Sequence, residues 1–163
     1  KIFPDAWESF VAIIPHKKRT NLMVAYNEIF NGSDEDLKLE AAINWSRWEA
    51  ATSKLVQNNS LIDEFSDPYF ALAFALIENH YFINKGFLNS EDQLIKGIEK
   101  IRHIPAKIIQ GRYDVVCPME TAYEVYKEWP EATLEIAKSS GHSAFEKEII
   151  HLLISATNEF ARN

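Results

Sequence analysis

Two residues in the second half of the chain carry the groups of an acid–base pair. Asp114 closes Gly111-Arg112-Tyr113-Asp114, and His142 stands in Gly141-His142-Ser143. A carboxylate that accepts the ring N–H of an imidazole fixes its tautomer. The other ring nitrogen can then take a proton from a hydroxyl nucleophile and later return it to a leaving amine. Each residue follows a short β-favouring run, Lys107–Gln110 for Asp114 and Thr133–Ala137 for His142. In an open α/β sheet both would lie beyond the C-terminal ends of neighbouring strands, where such sheets build ligand sites. A hydrolase using them would need a serine, and no G-x-S-x-G elbow is present; Gly32-Ser33 and Gly141-His142-Ser143 are the nearest approaches. Spacing alone leaves a second reading open, with Asp114 a turn former and His142 a surface residue.

Two acids in the first half pose a different question. Glu78 interrupts the apolar run Tyr69–Ile83, where an unpaired buried carboxylate costs on the order of several kcal/mol. Glu49 follows Trp48 and lies one turn beyond Trp45. If the two helices pack, Glu49 and Glu78 share an aromatic-lined space with Phe82, four residues after Glu78, and that space suits an organic cation. The alternative is that Glu49 faces water and Glu78 pairs with a lysine or arginine. His80 reads as a packed core or surface histidine. His16, His103, His151 and Cys117 show no metal-ligand spacing, so neither metal nor cofactor is expected.

The elements that must position these groups follow from local signals. Pro4 opens a short helix, Lys18 to Phe30 reads as a second closed by Asn31-Gly32, and Ser33 with Asp36 opens a third. The third carries Leu37, Ala41, Trp45, Trp48, Thr52 and Leu55 on one face. Asn58-Asn59-Ser60 reads as a break. Asp67-Pro68 caps the next helix, which is apolar nearly all round and expected to be buried on most sides. Ser90 to Gln93 caps one more, reaching about Ile101. A buried strand at Lys107–Gln110 is followed by a helix with Pro118 at its first position, a second strand, and a last helix directly after His142, bearing Ile149, Leu153, Ala156 and Phe160.

Composition sets outer limits. The 163 residues are 47% hydrophobic and 25% charged, ordinary for a folded soluble protein, and the net charge of −7 argues against a nucleic-acid partner. One cysteine excludes an internal disulfide and suits a reducing compartment, so a cytoplasmic location is expected. No apolar run reaches transmembrane length, which argues against a membrane partner. The chain starts with Lys1 rather than Met, and with no nucleophile in sight this suggests a segment of a longer protein.

Four blocks in order resemble proline iminopeptidases, α/β-hydrolases of the serine peptidase type. They are 41–49 (AAINWSRWE), 77–82 (IENHYF), 111–114 (GRYD) with Cys117-Pro118, and 141–146 (GHSAFE). The resemblance implies an α/β-hydrolase fragment, with an all-helical cap over residues 1–102 and a strand-helix-strand-helix segment over 103–163. It implies Asp114 and His142 as triad acid and base, Glu49 and Glu78 as the acids holding the imino group of an N-terminal proline, and Phe82 as a wall of the prolyl pocket. Peptides with N-terminal proline are then the substrate. The missing N-terminal half of the same protein, with its serine and oxyanion segment, is the expected partner, and the isolated segment is expected to be inactive. Cut strand edges would favour a homo-oligomer. Two other readings stand beside this one: a helical interaction module with a degenerate hydrolase tail, and another capped hydrolase such as an esterase or epoxide hydrolase, which would accept substrates without an amine.

Overall fold

The computed structural model describes residues 2–162. They are mostly helical, with a two-stranded parallel sheet. They pack as two compact units: residues up to Ala51 with Gln57–Leu88, and Thr52–Val56 with the residues from Asn89 onward.

The first unit is built from helices. α1 (Pro4–Ala12) starts on its proline. The helix expected from Lys18 begins later, because a 3₁₀ turn occupies His16–Lys18 and the side chain of Asn21 caps α2 (Leu22–Phe30) by accepting the Val24 N–H. α3 (Glu35–Ser53) is opened by Asp34 rather than Ser33, since the Asp34 carboxylate accepts the Leu37 N–H at 3.0 Å. The segment read as a break contains a helix, α4 (Asn59–Phe65): Asn58 ends one pattern but also caps the next through the Leu61 N–H. α5 (Pro68–Ile83) starts on the expected Asp67 cap.

Aromatic rings fill this unit. Phe10, Tyr26, Phe30 and Trp45 are buried, with Phe10 stacked on Tyr26 at 4.9 Å and Trp45 edge-on to Tyr26 at 5.1 Å. Burying each such side chain contributes about 1.5–3 kcal/mol. Ala41 and Ala42 on α3, with Ala71 and Ala75 on α5, are fully buried.

The burial expected all round α5 is not observed. Only Ala71, Ala75 and Asn79 are buried, a stripe repeating every four residues, while Tyr69 and Ile77 are 89% and 62% exposed. The all-apolar composition overstated the contacts, because hydrophobicity records what a side chain tolerates and not which neighbours it has. Asn79 makes the stripe specific: it accepts from Asn27 Nδ2 at 2.8 Å and donates to the Met23 carbonyl at 3.0 Å, joining α5 to α2.

The second unit holds α6 (Gln93–Gly97), β1 (Ala106–Gly111), α7 (Met119–Glu128), β2 (Ala132–Ala137) and α8 (Lys147–Phe160). β1 and β2 run parallel with Ala106 opposite Ala132 and Gly111 opposite Ala137, joined by the crossover that parallel pairing demands. β1 is only half-buried along most of its length, not buried as expected, since each strand of a two-stranded sheet is an edge. Pro118 stands at the N-cap position, just before α7, instead of at its first helical position, and α8 begins at Lys147, leaving a short loop after His142.

Candidate active site

The parallel register brings the exits of β1 and β2 side by side, and the loops beyond them carry Asp114 and His142. His142 Nδ1 lies 3.0 Å from Asp114 Oδ2. The Asp114 side chain is 6% exposed and that of His142 is 36% exposed, so a shielded carboxylate holds an accessible ring. Asp114 is itself fixed. Its Oδ1 accepts the N–H groups of Val116 at 3.0 Å and Cys117 at 2.8 Å, an Asx-type turn, and Gln110 Nε2 donates to Oδ2 at 3.2 Å. With Nδ1 committed to Asp114, Nε2 is the nitrogen that can exchange a proton.

The loop bearing His142 is tied down by residues that spacing did not single out. Ser53 O accepts the N–H groups of His142 at 2.9 Å and Ser143 at 2.7 Å. Glu146 Oε1 accepts those of Gly141 at 2.7 Å and Leu55 at 2.9 Å. Glu148 Oε2 accepts the Ser139 N–H at 2.8 Å; that bond, with a second from the Lys138 N–H, holds its carboxyl below the usual carboxylate range. Backbone acceptors such as Ser53 O have no signature in residue type, so no sequence signal could have found them.

Glu49, Glu78 and Phe82, in the first unit, line one cavity of about 170 Å³. Its other walls are Trp7, Phe10, Trp45, Trp48, Leu22 and Met23. Trp45 Nε1 donates to Glu78 Oε2 at 2.6 Å, and the rings of Trp45 and Phe82 lie 6.1 Å apart. The two helices thus pack so that Glu49, Glu78 and Phe82 share one cavity, with an indole N–H on the Glu78 carboxylate. The cavity combines two carboxylates with aromatic faces. The Trp45–Glu78 bond was legible only in part: Trp45 stood on the expected buried face, but its indole donor needed a partner from another helix.

Among the described residues, no cluster of three or more His, Cys, Asp or Glu could hold a metal ion, and no helix is long and apolar enough to cross a membrane.

No protein-family model matches the chain. It is 47% identical over 160 residues to a proline iminopeptidase of Xylella fastidiosa, a match covering 98% of this chain and 51% of that protein. A proline iminopeptidase of Xanthomonas citri is 48% identical over 161 residues, and one of Arabidopsis thaliana 45% over 159. Over nearly its whole length the chain is similar to proline iminopeptidases. It spans about half the length of the curated relatives it matches. Two features of the fold bear on chemistry: the aromatic cavity with its two acids in one unit and the Asp114–His142 pair in the other.

Proposed function

We propose that this chain is the part of a proline iminopeptidase that recognises an N-terminal proline and supplies the acid and base of a serine triad. Its helical first unit acts as the cap, and its β1–α7–β2–α8 unit as the C-terminal end of an α/β-hydrolase sheet. The single observation that carries the reading is the 3.0 Å Asp114–His142 bond at the paired strand exits. A non-catalytic helical module has no need of that pair, and an esterase or epoxide hydrolase has no need of two acids around a cation site.

Glu49 and Glu78 receive the protonated imino group of the substrate, and Phe82 flanks the pyrrolidine ring. A serine contributed by residues outside this chain attacks the first carbonyl while His142 Nε2 takes its proton. Asp114 stabilises the imidazolium that forms. The tetrahedral intermediate collapses as His142 returns the proton to the leaving amine, leaving a prolyl ester on the serine. Water, deprotonated by His142, cleaves the ester and releases free proline. The chain alone is inactive because the nucleophile is elsewhere. The single cysteine suits a reducing, cytoplasmic setting.

The test compares a proline anilide with its N-acetylated form on the full-length enzyme containing this segment, with His142→Ala beside it. Turnover of the substrate with the free secondary amine alone, lost in the variant, is expected. Equal turnover of the acetylated substrate would overturn the role of the two acids, and turnover surviving in His142→Ala would overturn the triad. Hydrolysis by the isolated 163-residue chain, abolished by the same substitution, would overturn the assignment of the nucleophile to another segment.

A further inference from the structure

We propose that Glu146 is a positioning residue for His142, acting as a shared backbone acceptor that locks the loop carrying the imidazole. This rests on the reading of His142 as the base. Glu146 Oε1 accepts two N–H groups at once, from Gly141 at 2.7 Å and from Leu55 at 2.9 Å, the latter 91 residues away in sequence. Ser53 O accepts the N–H groups of His142 and Ser143 from the other side. The residues on both flanks of His142 are therefore held by their own amides, three hydrogen bonds join the loop to the strap at 53–55, and a fourth closes the loop on itself. Carboxylate acceptors make the stronger kind of amide hydrogen bond.

The packing leaves no slack around that oxygen. A Cβ on Gly141 would lie 2.9 Å from Leu55 N and 3.1 Å from Glu146 Oε1. Loops bearing functional side chains are commonly mobile, and misplacing a catalytic group by about 1 Å can cost about a hundredfold in rate. Glu146 offsets that mobility without touching the imidazole in any recorded hydrogen bond.

Geometry and charge make opposite predictions here. A glutamine keeps an acceptor oxygen at the same reach without the charge. An aspartate keeps the charge but withdraws the oxygen by one methylene from both amides. The experiment uses Glu146→Gln, Glu146→Asp and Glu146→Ala in the full-length enzyme containing this segment. It reads the low-field Nδ1 proton of His142 by NMR, assigned through its loss in His142→Ala, together with kcat and KM for a proline anilide. Glu146→Gln is expected to keep the resonance and stay within about threefold of the parent in kcat. Glu146→Asp and Glu146→Ala should shift or lose the resonance and lose about tenfold or more in kcat, with KM within about twofold. Aspartate outperforming glutamine, or an unshifted resonance in Glu146→Ala, would overturn the proposal. The resonance reports the Asp114–His142 pairing whatever reaction the enzyme performs. Failure of the peptidase reading would instead show in the substrate comparison and leave the resonance series intact.

Discussion

A Cβ atom on Gly111 would lie 1.8 Å from the carbonyl oxygen of Gly141, so these two glycines are where the loop after β2 crosses the exit of β1. The crossing is sealed by backbone bonds, Arg112 N to Ala137 O and Tyr113 N to Ser140 O, both at 2.9 Å. Asp114 and His142 meet because these two loops run in contact.

Gly111→Ala tests that contact. The obstructing atom is backbone, which cannot swing aside as a side-chain tip does, so the substitution should cost at least the roughly 1–3 kcal/mol typical of overpacking. It should also lengthen the Asp114–His142 separation. Urea unfolding would show the loss as a lowered midpoint; an unchanged midpoint would contradict the crossing.

Asp114→Asn addresses the tautomer. The amide oxygen can keep the N–H groups of Val116 and Cys117, while the NH₂ turned toward His142 Nδ1 donates where a carboxylate accepted. Nε2 then carries the proton and cannot serve as base. In the full-length enzyme kcat should fall by about 10³–10⁴-fold with the fold intact. A loss under tenfold would argue against the pair as catalytic machinery.

Glu78→Gln probes the cavity. It removes a charge beside Trp45 and Phe82 but preserves an oxygen for the indole N–H. Truncating one partner of a desolvated charge pair costs about 2–5 kcal/mol, which corresponds to roughly thirtyfold or more in kcat/KM for proline peptides. Kinetics indistinguishable from the parent would remove Glu78 from the substrate site.

Tyr26 predicts alkaline instability. Its hydroxyl donates to the Phe10 carbonyl at 2.5 Å in the core, and burial pushes the phenol well above its ordinary range. A raised folded-state pKa contributes stability that is fully present below the unfolded value of about 10 and is lost as pH rises beyond it. Unfolding monitored from pH 8 to 12 should steepen above about 10. Tyr26→Phe should flatten that slope while lowering stability at neutral pH by about 1 kcal/mol for the missing bond. Identical slopes in the two proteins would refute the link.

What the sequence determined by itself were the features written in neighbouring residues. The Asp67-Pro68 helix start, the two β-favouring runs, and an acid and an imidazole just beyond them were all legible, because caps and strand propensity act over a few positions. Where two signals shared one residue the reading slipped: Asn58 both breaks a pattern and caps α4, and Asn21 displaces the start of α2. The pairing of Asp114 with His142 at 3.0 Å, the indole of Trp45 on Glu78, and the hold of Ser53, Leu55 and Glu146 on the His142 loop were decided by tertiary structure. Each joins atoms dozens of residues apart, and several of those atoms are backbone amides and carbonyls, which every residue carries. No residue type marks which amide a carboxylate will find until the strands have set their register and the loops have closed over it.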